Sequence, residues 1–528
     1  MSAVIAPFGD RALRFPLPES TNRRALFFTL RALPGVVDVI LAEDTGAVLL
    51  APSTPRAPLL TALALALALA PAPAPALAPA PALAPAHHTI RVVYDGDDLP
   101  LIASATGLSI DAVIALHAAA DYEVAMLGFL PGFAYLRGLD PRLVLPRRSE
   151  PRTRVPAGSV AVAAEYTGIY PFASPGGWNL LGRVVDHRAF GPSGATLALG
   201  DRVRFVPDPG SSPNDPGSAP NDPGSGRDDP GSSPNDPGSG LEVRRVAGPA
   251  IVVDGGRVGH MHEGVPHGGA MVPERLARAN AAAGNTAGAA AIEVYGMVEV
   301  IARGGSVTVG DDVRGRHVLR DGEAIVVATE GRARVRYLAV RGGIDVPVVL
   351  GGRGTLLVAG IGGYRGRALR RGDVVASARA DADANANANA NANANANEDA
   401  NEDEDEDAGA VVEVEVVDGP DVDERVMEVI AAATFRVGAR SDRMGTRLEG
   451  EELPTHSMHD ARERAPSRPM VAGAIELTPG GLVVLGPDHP TTGGYPVVAV
   501  VSARTLGRLL ARPIGAPIRL VRSGLKPT

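Results

Sequence analysis

Three low-complexity segments divide this chain of 528 residues and limit what it can fold into. Their compositions bury too little apolar surface to offset the entropy of ordering them. We interpret all three as spacers, with a docking tail for a partner as the alternative: an Ala/Leu/Pro tract at 57–86, repeats of the SSPNDPGS type at 208–240, and Ala-Asn repeats that run into an acidic stretch at 381–408. We expect the first to be extended, because Ala-Pro alternation favours that conformation. The ordered sequence then comprises residues 1–56, 87–207, 241–380 and 409–528.

Short runs with a period of two predict a mainly β chain. Apolar and polar residues alternate, as in half-buried strands, at 202–205, 306–309, 334–337 and 411–416. Glycine (63 residues) and proline (46 residues) are abundant and mark the turns between such strands. Helical patterns are fewer, and we predict two of them, over Ser109–Ala120 with Ser109 as the N-cap and over Pro273–Ala283.

A weak internal repeat indicates that one barrel type occurs more than once. VPAGSVAVA (155–163) resembles MVAGAIELT (470–478), and SPGGWNLLG (174–182) resembles TTGGYPVVA (491–499). A further double glycine in AVRGGIDVPVVLG (339–351) extends the pattern to the stretch between them. We therefore expect three copies of one barrel, with chance recurrence of turn glycines as the alternative.

Composition excludes several kinds of chemistry. The net charge of −9 argues against a nucleic-acid partner, which requires a basic face. The absence of cysteine excludes thiolate nucleophiles and cysteine-ligated zinc. The single lysine, Lys526, excludes a P-loop, a Schiff-base lysine in a core and a dedicated site for covalent biotin. An anion must therefore be held by arginine, by backbone N–H groups or by a metal.

We expect neither a secretory signal nor a membrane span in this sequence. MSAVIAPFGDRALRF lacks a basic region followed by an apolar stretch. The apolar run Leu59–Ala70 is about a dozen residues long, short of the roughly 20 that span a bilayer. We expect a cytoplasmic protein with no membrane partner.

The densest motif, at residues 126–183, combines aromatic rings, arginines and turn glycines. Arginines offer planar forks to carboxylate or phosphate, and glycines let a ligand approach the backbone. A rigid β corner with solvated arginines explains the same pattern equally well. The residues in question are Phe129, Phe133, Tyr135, Tyr170 and Trp178, with Arg147, Arg148, Arg152, Arg154 and Arg183.

Specific motifs in this stretch resemble a known family. GFLPGFAYL, PRR-x-x-PRTRVPAGSV and GIYP-x-x-SPGGW-x-LLGR resemble the signature of the 5-oxoprolinase B subunit, also called allophanate hydrolase subunit 1. The second half resembles the C subunit of the same enzyme, also called allophanate hydrolase subunit 2, in GHMHEGVPHGGAM, ANAAAGNTAGAAAIEV, YLAVRGGIDVPVVLG, SDRMGTRLEG and GPDHPTTGGYPVVAVV. We therefore interpret the chain as a fusion of a B-like half and a C-like half.

The resemblance implies a fold and an activity. The fold is mainly β with some α: cyclophilin-like β-barrel domains at 87–207, 241–380 and 409–528, and a small α/β domain at 1–56. The activity is that of an enzyme component that uses ATP, with Mg²⁺, to activate 5-oxo-L-proline, a cyclic amide. A separate A subunit of the LamB/YcsF type would complete its hydrolysis to glutamate. Whether the chain also forms a homo-oligomer stays open.

Motifs and resemblance together name the candidate site residues. Catalytic candidates are His117, Asp254, Glu293 and Asp488. Substrate or nucleotide would contact Arg147, Arg152, Ser159, Tyr170, Gly176, Gly177, Trp178, Arg183, Arg257, Asn280, Asn285, Arg341, Ser441, Arg443, Arg447, Gly493, Gly494 and Tyr495. We predict no metal site from side chains alone, because His260, His262, His267 and Glu263 lie in a Gly/Pro-rich loop without periodicity.

These candidates have proposed roles. Arg147, Arg152 and Arg183 would clamp carboxylate or phosphate, while N–H groups of the glycine turns would stabilise oxyanion charge. One of the acids Asp254, Glu293 and Asp488 would hold Mg²⁺ or orient the reacting amide. Plainer interpretations stand beside these, since a histidine such as His117 on an apolar helix and a Trp such as Trp178 are often core residues.

The C-like half departs from the family pattern at several polar positions. Val253, Glu476 and Pro490 each stand where the family has glutamine, and residues 268–272 and 352–355 lack some of the family's polar side chains. Two alternatives therefore stay open. One is a carboxyltransferase that acts on carboxybiotin held by another protein, as in urea amidolyase. The other is a non-enzymatic regulator that resembles the family's kinase-inhibitor members.

We predict that the two polar inserts are dispensable. Deletion of residues 210–238 and 384–406 should shift the melting midpoint by only a few degrees, because such compositions cannot form a core. Calorimetric melting of the shortened chain measures this, and loss of soluble expression would contradict the prediction.

Overall fold

The computed structural model describes residues 5–69, 84–208, 239–378, 409–450, 453 and 466–523. Nearly all of the segments 208–240 and 381–408, part of 57–86, and Lys526 lie outside the described residues. The described chain is mainly β, as predicted, and contains two closed seven-stranded barrels. Both predicted helices are confirmed, the first with Ser109 accepting a hydrogen bond from the Ala112 N–H at 3.1 Å.

The N-terminal unit is a four-stranded sheet packed against two helices. The strand order is β1-β2-β4-β3, and all neighbours are antiparallel. The helix α1 begins after Asn22, whose side chain accepts from the Ala25 N–H at 3.1 Å. The elements are β1 (Ala6–Pro7), β2 (Ala12–Pro16), α1 (Arg23–Arg31), β3 (Val36–Leu41), β4 (Thr45–Leu50) and α2 (Arg56–Leu69).

The helix α2 corrects the interpretation of residues 57–86 as an extended spacer. Residues 57–69 are helical, and Leu59, Leu63 and Leu67 are buried in one apolar cluster with the sheet. The expectation failed because the leucines recur every four residues, which places them on one face of a helix. Alanine and leucine are also strong helix formers, and the prolines start to alternate only after Leu69.

The B-like half forms the first closed barrel. The strand order around it is β10-β7-β6-β15-β5-β12-β9, and the first and last strands, β5 and β15, pair in parallel to close it. Its elements are β5 (His87–Val93), α3 (Leu99–Thr106), α4 (Ile110–Ala119), β6 (Tyr122–Leu127), β7 (Ala134–Arg137), β8 (Arg152–Val155), β9 (Ser159–Ala163), β10 (Tyr166–Ile169), β11 (Ser174–Gly176), β12 (Asn179–Val184), β13 (Phe190–Gly191), β14 (Gly194–Ala195) and β15 (Arg202–Pro207).

The middle unit differs from the expected third barrel. It consists of a four-stranded sheet, β22-β19-β16-β24, and a five-stranded sheet, β17-β18-β23-β20-β21, with one apolar core between them. Its elements are β16 (Gly240–Ala247), β17 (Ala250–Val253), α5 (Pro273–Ala283), β18 (Ala291–Val294), β19 (Met297–Arg303), β20 (Val307–Asp311), β21 (Gly315–Leu319), β22 (Ala324–Ala328), β23 (Arg336–Val340) and β24 (Val374–Ala376). Its double glycine, Gly342-Gly343, lies in the turn after β23 and does not start a matching strand pair.

The C-terminal unit is the second closed barrel. Its strand order is β25-β32-β29-β30-β27-β26-β33, closed by parallel pairing of β25 with β33. Its elements are β25 (Val412–Asp418), α6 (Glu424–Ala432), β26 (Phe435–Val437), β27 (Gly445–Glu449), β28 (Arg468–Pro469), β29 (Ala474–Thr478), β30 (Gly481–Leu485), β31 (Thr492–Gly493), β32 (Val497–Val501), α7 (Ala503–Ala511) and β33 (Pro517–Arg522).

The internal repeat corresponds to the same strand register in the two closed barrels. In the first, Leu180 pairs with Ala161 and, after a bulge, Gly182 pairs with Val160. In the second, Val497 pairs with Glu476 and, after a bulge, Ala499 pairs with Ile475. Each barrel also carries a two-stranded flap that includes the first glycine of its double glycine, β8 with β11 and β28 with β31. The repeat therefore reflects shared topology in these two units.

The two halves of the chain pack against each other at several places. Phe8, Ala12 and Ala47 of the N-terminal unit join an apolar cluster on the outer face of the C-terminal barrel. Asp38 on β3 accepts from the Met261 N–H at 2.6 Å and lies 3.1 Å from Nδ1 of His262. Burial alone would raise the pKa of Asp38, and the contact with His262 contributes to a net lowering.

Within the part of the chain that the structure describes, no single helix combines the length and the apolar character needed to cross a membrane. The helices α3 and α4 meet that test only as a pair bent by 92°.

We predict that α2 contributes to stability through its buried face. Leu63→Ala should destabilise the first unfolding transition by about 2–5 kcal/mol, because Leu63 is completely buried. Leu65→Ala is the matched control and should change it by less than about 0.5 kcal/mol, since Leu65 is 61% exposed. Chemical denaturation of the full chain measures both, and equal effects would restore the spacer interpretation.

Candidate functional site

A buried arginine joins the middle unit to the C-terminal barrel. Arg443 lies in the loop between β26 and β27, and its Nε and Nη2 donate to the two oxygens of Asp488 at 2.7 and 2.9 Å. Its Nη1 donates to Glu293 on β18, and Nη2 also donates to the carbonyl of Gly269 at 2.7 Å. Burial alone would lower the pKa of Arg443, and the two carboxylates raise it well above its ordinary value.

The carboxylate of Glu293 has donors on both oxygens. Tyr295 and Tyr337 donate their hydroxyls to it at 2.7 Å each, and the Met271 N–H donates at 2.7 Å. The period of two along β18 explains its position, because Ile292 and Val294 face the core of the middle unit while Ala291 and Glu293 face the C-terminal barrel. A completely buried carboxylate of this kind requires such partners.

Asp254 and Arg257 lie at the end of β17, next to this network. Asp254 accepts from the N–H groups of Gly256 (3.0 Å) and Arg353. Arg257 is 1% exposed and donates from Nε to the Val349 carbonyl at 3.1 Å and from Nη2 to the Gly354 carbonyl. Burial lowers the pKa of Arg257, and Asp254 and Asp488 oppose that shift.

One side of this cluster has donors that are free among the described residues. Nη1 of Arg257 makes no hydrogen bond there, and neither do the N–H groups of Gly269 and Ala270. Gly268 lies between Arg257 and Asp488, with its Cβ position 3.6 Å from Arg257 Nη1 and 3.8 Å from Asp488 Oδ1. Its φ of +66° favours glycine, which keeps a side chain out of the space between the two groups. The arrangement can bind an anion.

The three acids do not fit the expected Mg²⁺ site. Every carboxylate oxygen of Asp254, Glu293 and Asp488 already accepts a hydrogen bond from a protein donor. Magnesium requires open oxygen ligands in octahedral geometry. Among the described residues there is also no group of three or more histidines and acids placed to hold a metal. We therefore assign these acids to positioning Arg443, Tyr337 and the 268–271 loop.

Other candidates of the C-like half stabilise loops. Asn280 donates to the carbonyls of Ala287 (3.1 Å) and Ala289 (2.9 Å), and Asn285 donates to Asn280 Oδ1 at 3.0 Å. Ser441 donates to the Gly438 carbonyl at 2.7 Å and accepts from the Arg447 N–H at 2.9 Å. Arg341 is exposed on the turn after β23, where Asn285 hydrogen-bonds to the residues on either side of it, Val340 and Gly342.

The histidines 260 and 262 lie at the junction of the two halves. Each is 3.6 Å from Oε1 of Glu263, whose other oxygen accepts from the Ala195 N–H at 3.0 Å. His267 lies apart from them, with Nε2 3.3 Å from the Gly255 carbonyl. The motif that contains them therefore contributes to packing of the halves.

The arginines of the B-like half have different surroundings from one another. Arg148 and Arg152 both donate to Asp98 Oδ1, at 2.9 and 2.8 Å. Arg183 donates to Asp95 at 2.9 Å. Arg147 is exposed and makes no hydrogen bond or ion pair with the described residues. Arg148 and Arg152 thus share Asp98, Arg183 has a separate partner, and a role of these arginines in ligand binding stays a prediction.

Asp98 is a residue that the sequence analysis missed. Besides the arginines it accepts from the Leu180 N–H at 2.7 Å, so it ties the flap to strand β12. Burial alone would raise its pKa, and the hydrogen bonds from Arg152 and Leu180 lower it. The second barrel has the same arrangement, in which Asp421 accepts from Arg468 at 2.6 Å and from the Val497 N–H at 3.0 Å. Alignment of the acidic residues that follow β5 with those that follow β25 would have identified Asp98 and Asp421 as equivalent.

The aromatic candidates lie in one cluster on the outer face of the first barrel. Trp178 and Tyr170 are buried there, and Phe133 packs edge-on against both at 5.3 Å between ring centroids. Gly176 allows Tyr170 to fit, since its Cβ position is 2.4 Å from the tyrosine hydroxyl. The Gly177 carbonyl accepts from the Arg148 N–H at 2.8 Å, and Ser159 begins the buried strand β9.

His117 has the contacts of a structural histidine. Its Nδ1 is 2.7 Å from the Tyr94 hydroxyl, its Nε2 is 2.9 Å from Thr167 Oγ1, and its ring stacks on Phe205. Burial lowers its pKa to about 3, so the ring is neutral at ordinary pH. Complete burial and two occupied nitrogens leave no atom for contact with a substrate.

Arg447 lies on strand β27 of the C-terminal barrel, and Gly493, Gly494 and Tyr495 lie at or just after the flap strand β31. Gly493 belongs to the flap strand β31, and all four are partly exposed. Beneath Gly493 lies Glu476, which the sequence analysis named only as a departure from the family pattern.

The chain belongs to the carboxyltransferase-domain family. The description "Carboxyltransferase domain, subdomain C and D" matches residues 3–199, and "Carboxyltransferase domain, subdomain A and B" matches residues 263–522. Within that family the chain is a fusion of two halves that resemble the B and C subunits of 5-oxoprolinase.

Individual relatives support both halves. The chain is 48% identical to the 5-oxoprolinase B subunit of Escherichia coli O157:H7 over 124 residues, 22% of this chain and 56% of that protein. It is 27% identical to the 5-oxoprolinase C subunit of Escherichia coli K12 over 304 residues, 54% of this chain and 92% of that protein. It spans about half the length of the B-subunit relatives that it matches.

Two further likenesses bear on the alternatives and on the fold. A stretch of 134 residues is 34% identical to urea amidolyase of Lachancea kluyveri, covering 23% of this chain and 7% of that protein. The crystal structure of TTHA0988 superposes with a TM-score of 0.76 at 30% identity, covering 97% of this chain and 100% of that one.

We predict that Arg443 is essential for the junction of the middle unit and the C-terminal barrel. Arg443→Met should destabilise the chain by about 3–5 kcal/mol, because it leaves the carboxylates of Glu293 and Asp488 buried without their cation. Arg519→Met is the control, since Arg519 lies on the surface of β33 and should change stability by less than about 0.5 kcal/mol. Chemical denaturation measures both, and equal stability of the two variants would contradict the assignment.

Proposed function

We propose that the chain is the B–C component of an ATP-dependent 5-oxoprolinase, which activates 5-oxo-L-proline for hydrolysis to glutamate. One observation carries the proposal: a B-like and a C-like half, which match two separate components of that enzyme, pack against each other in a single chain. Fusion keeps the two at a high effective concentration, which suits partners that act together.

Arg257 and the 268–271 loop would supply the main polar contacts. Among the described residues, Arg257 Nη1 and the N–H groups of Gly269 and Ala270 make no hydrogen bond, and in this buried setting they would stabilise a phosphate or a developing oxyanion. The Arg443 network holds that loop, because Arg443 donates to the Gly269 carbonyl and Glu293 accepts from the Met271 N–H. ATP, when bound, supplies the driving force for activation of the amide.

Hydrolysis would require the separate LamB/YcsF-type protein. The described residues of this chain include no nucleophile paired with a histidine–carboxylate relay, and His117 is buried in the first barrel. We therefore assign activation to this chain and completion of hydrolysis to the partner.

A carboxyltransferase role in a biotin-dependent system is the second candidate. The likeness to urea amidolyase and the descriptions of both family domains favour it. Carboxybiotin would then come from another protein, since Lys526 is the only lysine of this chain.

We predict a partner-dependent activity. The purified chain with ATP, Mg²⁺ and 5-oxo-L-proline should release little glutamate, and addition of the LamB/YcsF-type partner should restore turnover. Arg257→Lys should lower kcat/KM by about tenfold or more in that assay, because lysine lacks the planar fork. The exchange Arg519→Lys serves as the control.

Each outcome selects one function. Efficient glutamate release by the chain alone would contradict the division of labour. Absence of turnover with the partner, together with carboxyl transfer from a carboxylated biotin carrier to urea, would favour the carboxyltransferase.

A further inference from the structure

The outer face of the C-terminal barrel contains a buried carboxyl group without a partner. Glu476, in the middle of β29, is 7% exposed, and its carboxyl group makes no hydrogen bond or ion pair with the described residues. Its Oε1 lies 3.1 Å from the Cβ position of Gly493, in the flap formed by β28 and β31. Burial raises its pKa to about 7. Buried polar groups normally have partners, so this carboxyl group requires an explanation.

The first closed barrel has different residues at the positions equivalent to Glu476 and its neighbours. There Ala161 occupies the position of Glu476 and Gly168 the position of Val483, as the strand registers establish. These small residues leave room for rings, since the Cβ position of Gly168 is 3.2 Å from Phe133 Cζ and 3.3 Å from Trp178 Cζ3. The outer face under that flap is therefore packed with aromatic side chains.

The matching positions of the C-terminal barrel lack most of those rings. Leu448 pairs with Leu482, and Leu136 pairs with Thr167. Because Leu482 and Thr167 occupy equivalent positions in the registers of the two barrels, Leu448 corresponds to Leu136. Residues along the same strands then correspond directly: Gly445 to Phe133, Arg447 to Tyr135, and Leu485 to Tyr170. The second barrel therefore has a guanidinium and a carboxyl group where the first has a hydrocarbon cluster.

Arg447 shares the outer face with Glu476. It pairs with Val483, which in turn pairs with Glu476, so all three side chains point to the same side of the sheet. Its Nη1 lies 3.5 Å from the Cβ position of Gly480, beside Thr478. Thr478 is two residues beyond Glu476 on β29, about 7 Å along the strand. The Arg447 guanidinium makes no ion pair with Glu476 or with any other described residue.

We propose that this face binds a small carboxylic acid that carries an N–H group. Arg447 holds the carboxylate through its planar fork, and Glu476 accepts a hydrogen bond from the N–H. Arg447 and Glu476 lie on strands two apart, about 9–10 Å between their backbones, so a small cyclic amide acid can bridge the two side chains. Gly493 permits the close approach of the flap to Glu476. The choice of 5-oxo-L-proline as the ligand rests on the proposed function.

Calorimetric titration of the full chain with 5-oxo-L-proline tests the site without ATP or partner. Arg447→Gln and Glu476→Ala should each weaken binding at least about tenfold, as loss of a charged hydrogen bond does. Wild-type affinity should rise between pH 6 and pH 8, because the carboxyl group ionises there and becomes a stronger acceptor. Glu476→Gln should bind with an affinity that is independent of pH in this range.

Matched controls separate the site from general effects of charge. Glu413→Gln and Arg519→Gln change an exposed pair on β25 and β33, 3.8 Å apart, and should bind like the wild type. Melting curves check the fold of each variant. Should Arg447→Gln unfold, Arg447→Lys keeps the charge and should still bind at least about fivefold more weakly.

The outcomes distinguish this site from the proposed function. Wild-type binding of L-proline or L-glutamine in place of 5-oxo-L-proline, with the same dependence on Arg447 and Glu476, supports the site and contradicts the proposed substrate. Binding of 5-oxo-L-proline with this dependence, but no turnover with the LamB/YcsF-type partner, supports the site and contradicts the proposed activity. Binding of none of the three acids, or equal binding by wild type and Arg447→Gln, overturns the site.

Discussion

The structure of the C-like half depends on one buried arginine between two carboxylates. Arg443 reaches Asp488 of its own barrel, Glu293 of the middle unit and the carbonyl of Gly269 at once. Desolvation of these charges is costly, and it is offset only while every donor and acceptor has a partner. The network therefore ties the 268–271 loop, with the N–H groups of Gly269 and Ala270, to both units, while the carbonyls of Val349 and Gly354 hold the neighbouring Arg257.

A second recurring device is the aspartate that ties each flap to its barrel. Asp98 and Asp421 each accept from an arginine of the flap and from a backbone N–H of the following strand. The device is common to both closed barrels, and what lies beneath the flaps differs. Aromatic rings fill the first, whereas Glu476 and Arg447 face outward in the second. One scaffold thus provides a rigid packing surface in one copy and a polar face in the other.

Much of the fold could be predicted from local patterns. Alternation predicted β15 and β25, the capping serine predicted α4, and the repeat correctly paired the two closed barrels. The middle unit was misjudged because a double glycine marks a turn in any β structure, whether a barrel or a pair of sheets. The helix α2 was misjudged because proline content was weighed above the four-residue spacing of Leu59, Leu63 and Leu67.

The sequence by itself determined the family, the mainly β class and the chemical types available for a site: arginine, carboxylate and backbone N–H, with no cysteine. Only the tertiary structure decided which of them meet. Glu293, Arg443 and Asp488 are far apart in the chain and adjacent in space, whereas Arg147, Arg152 and Arg183 are near in the chain and have different surroundings. The physical reason is that strand register and burial determine contacts between distant segments, and neither can be read from the local spacing of residues.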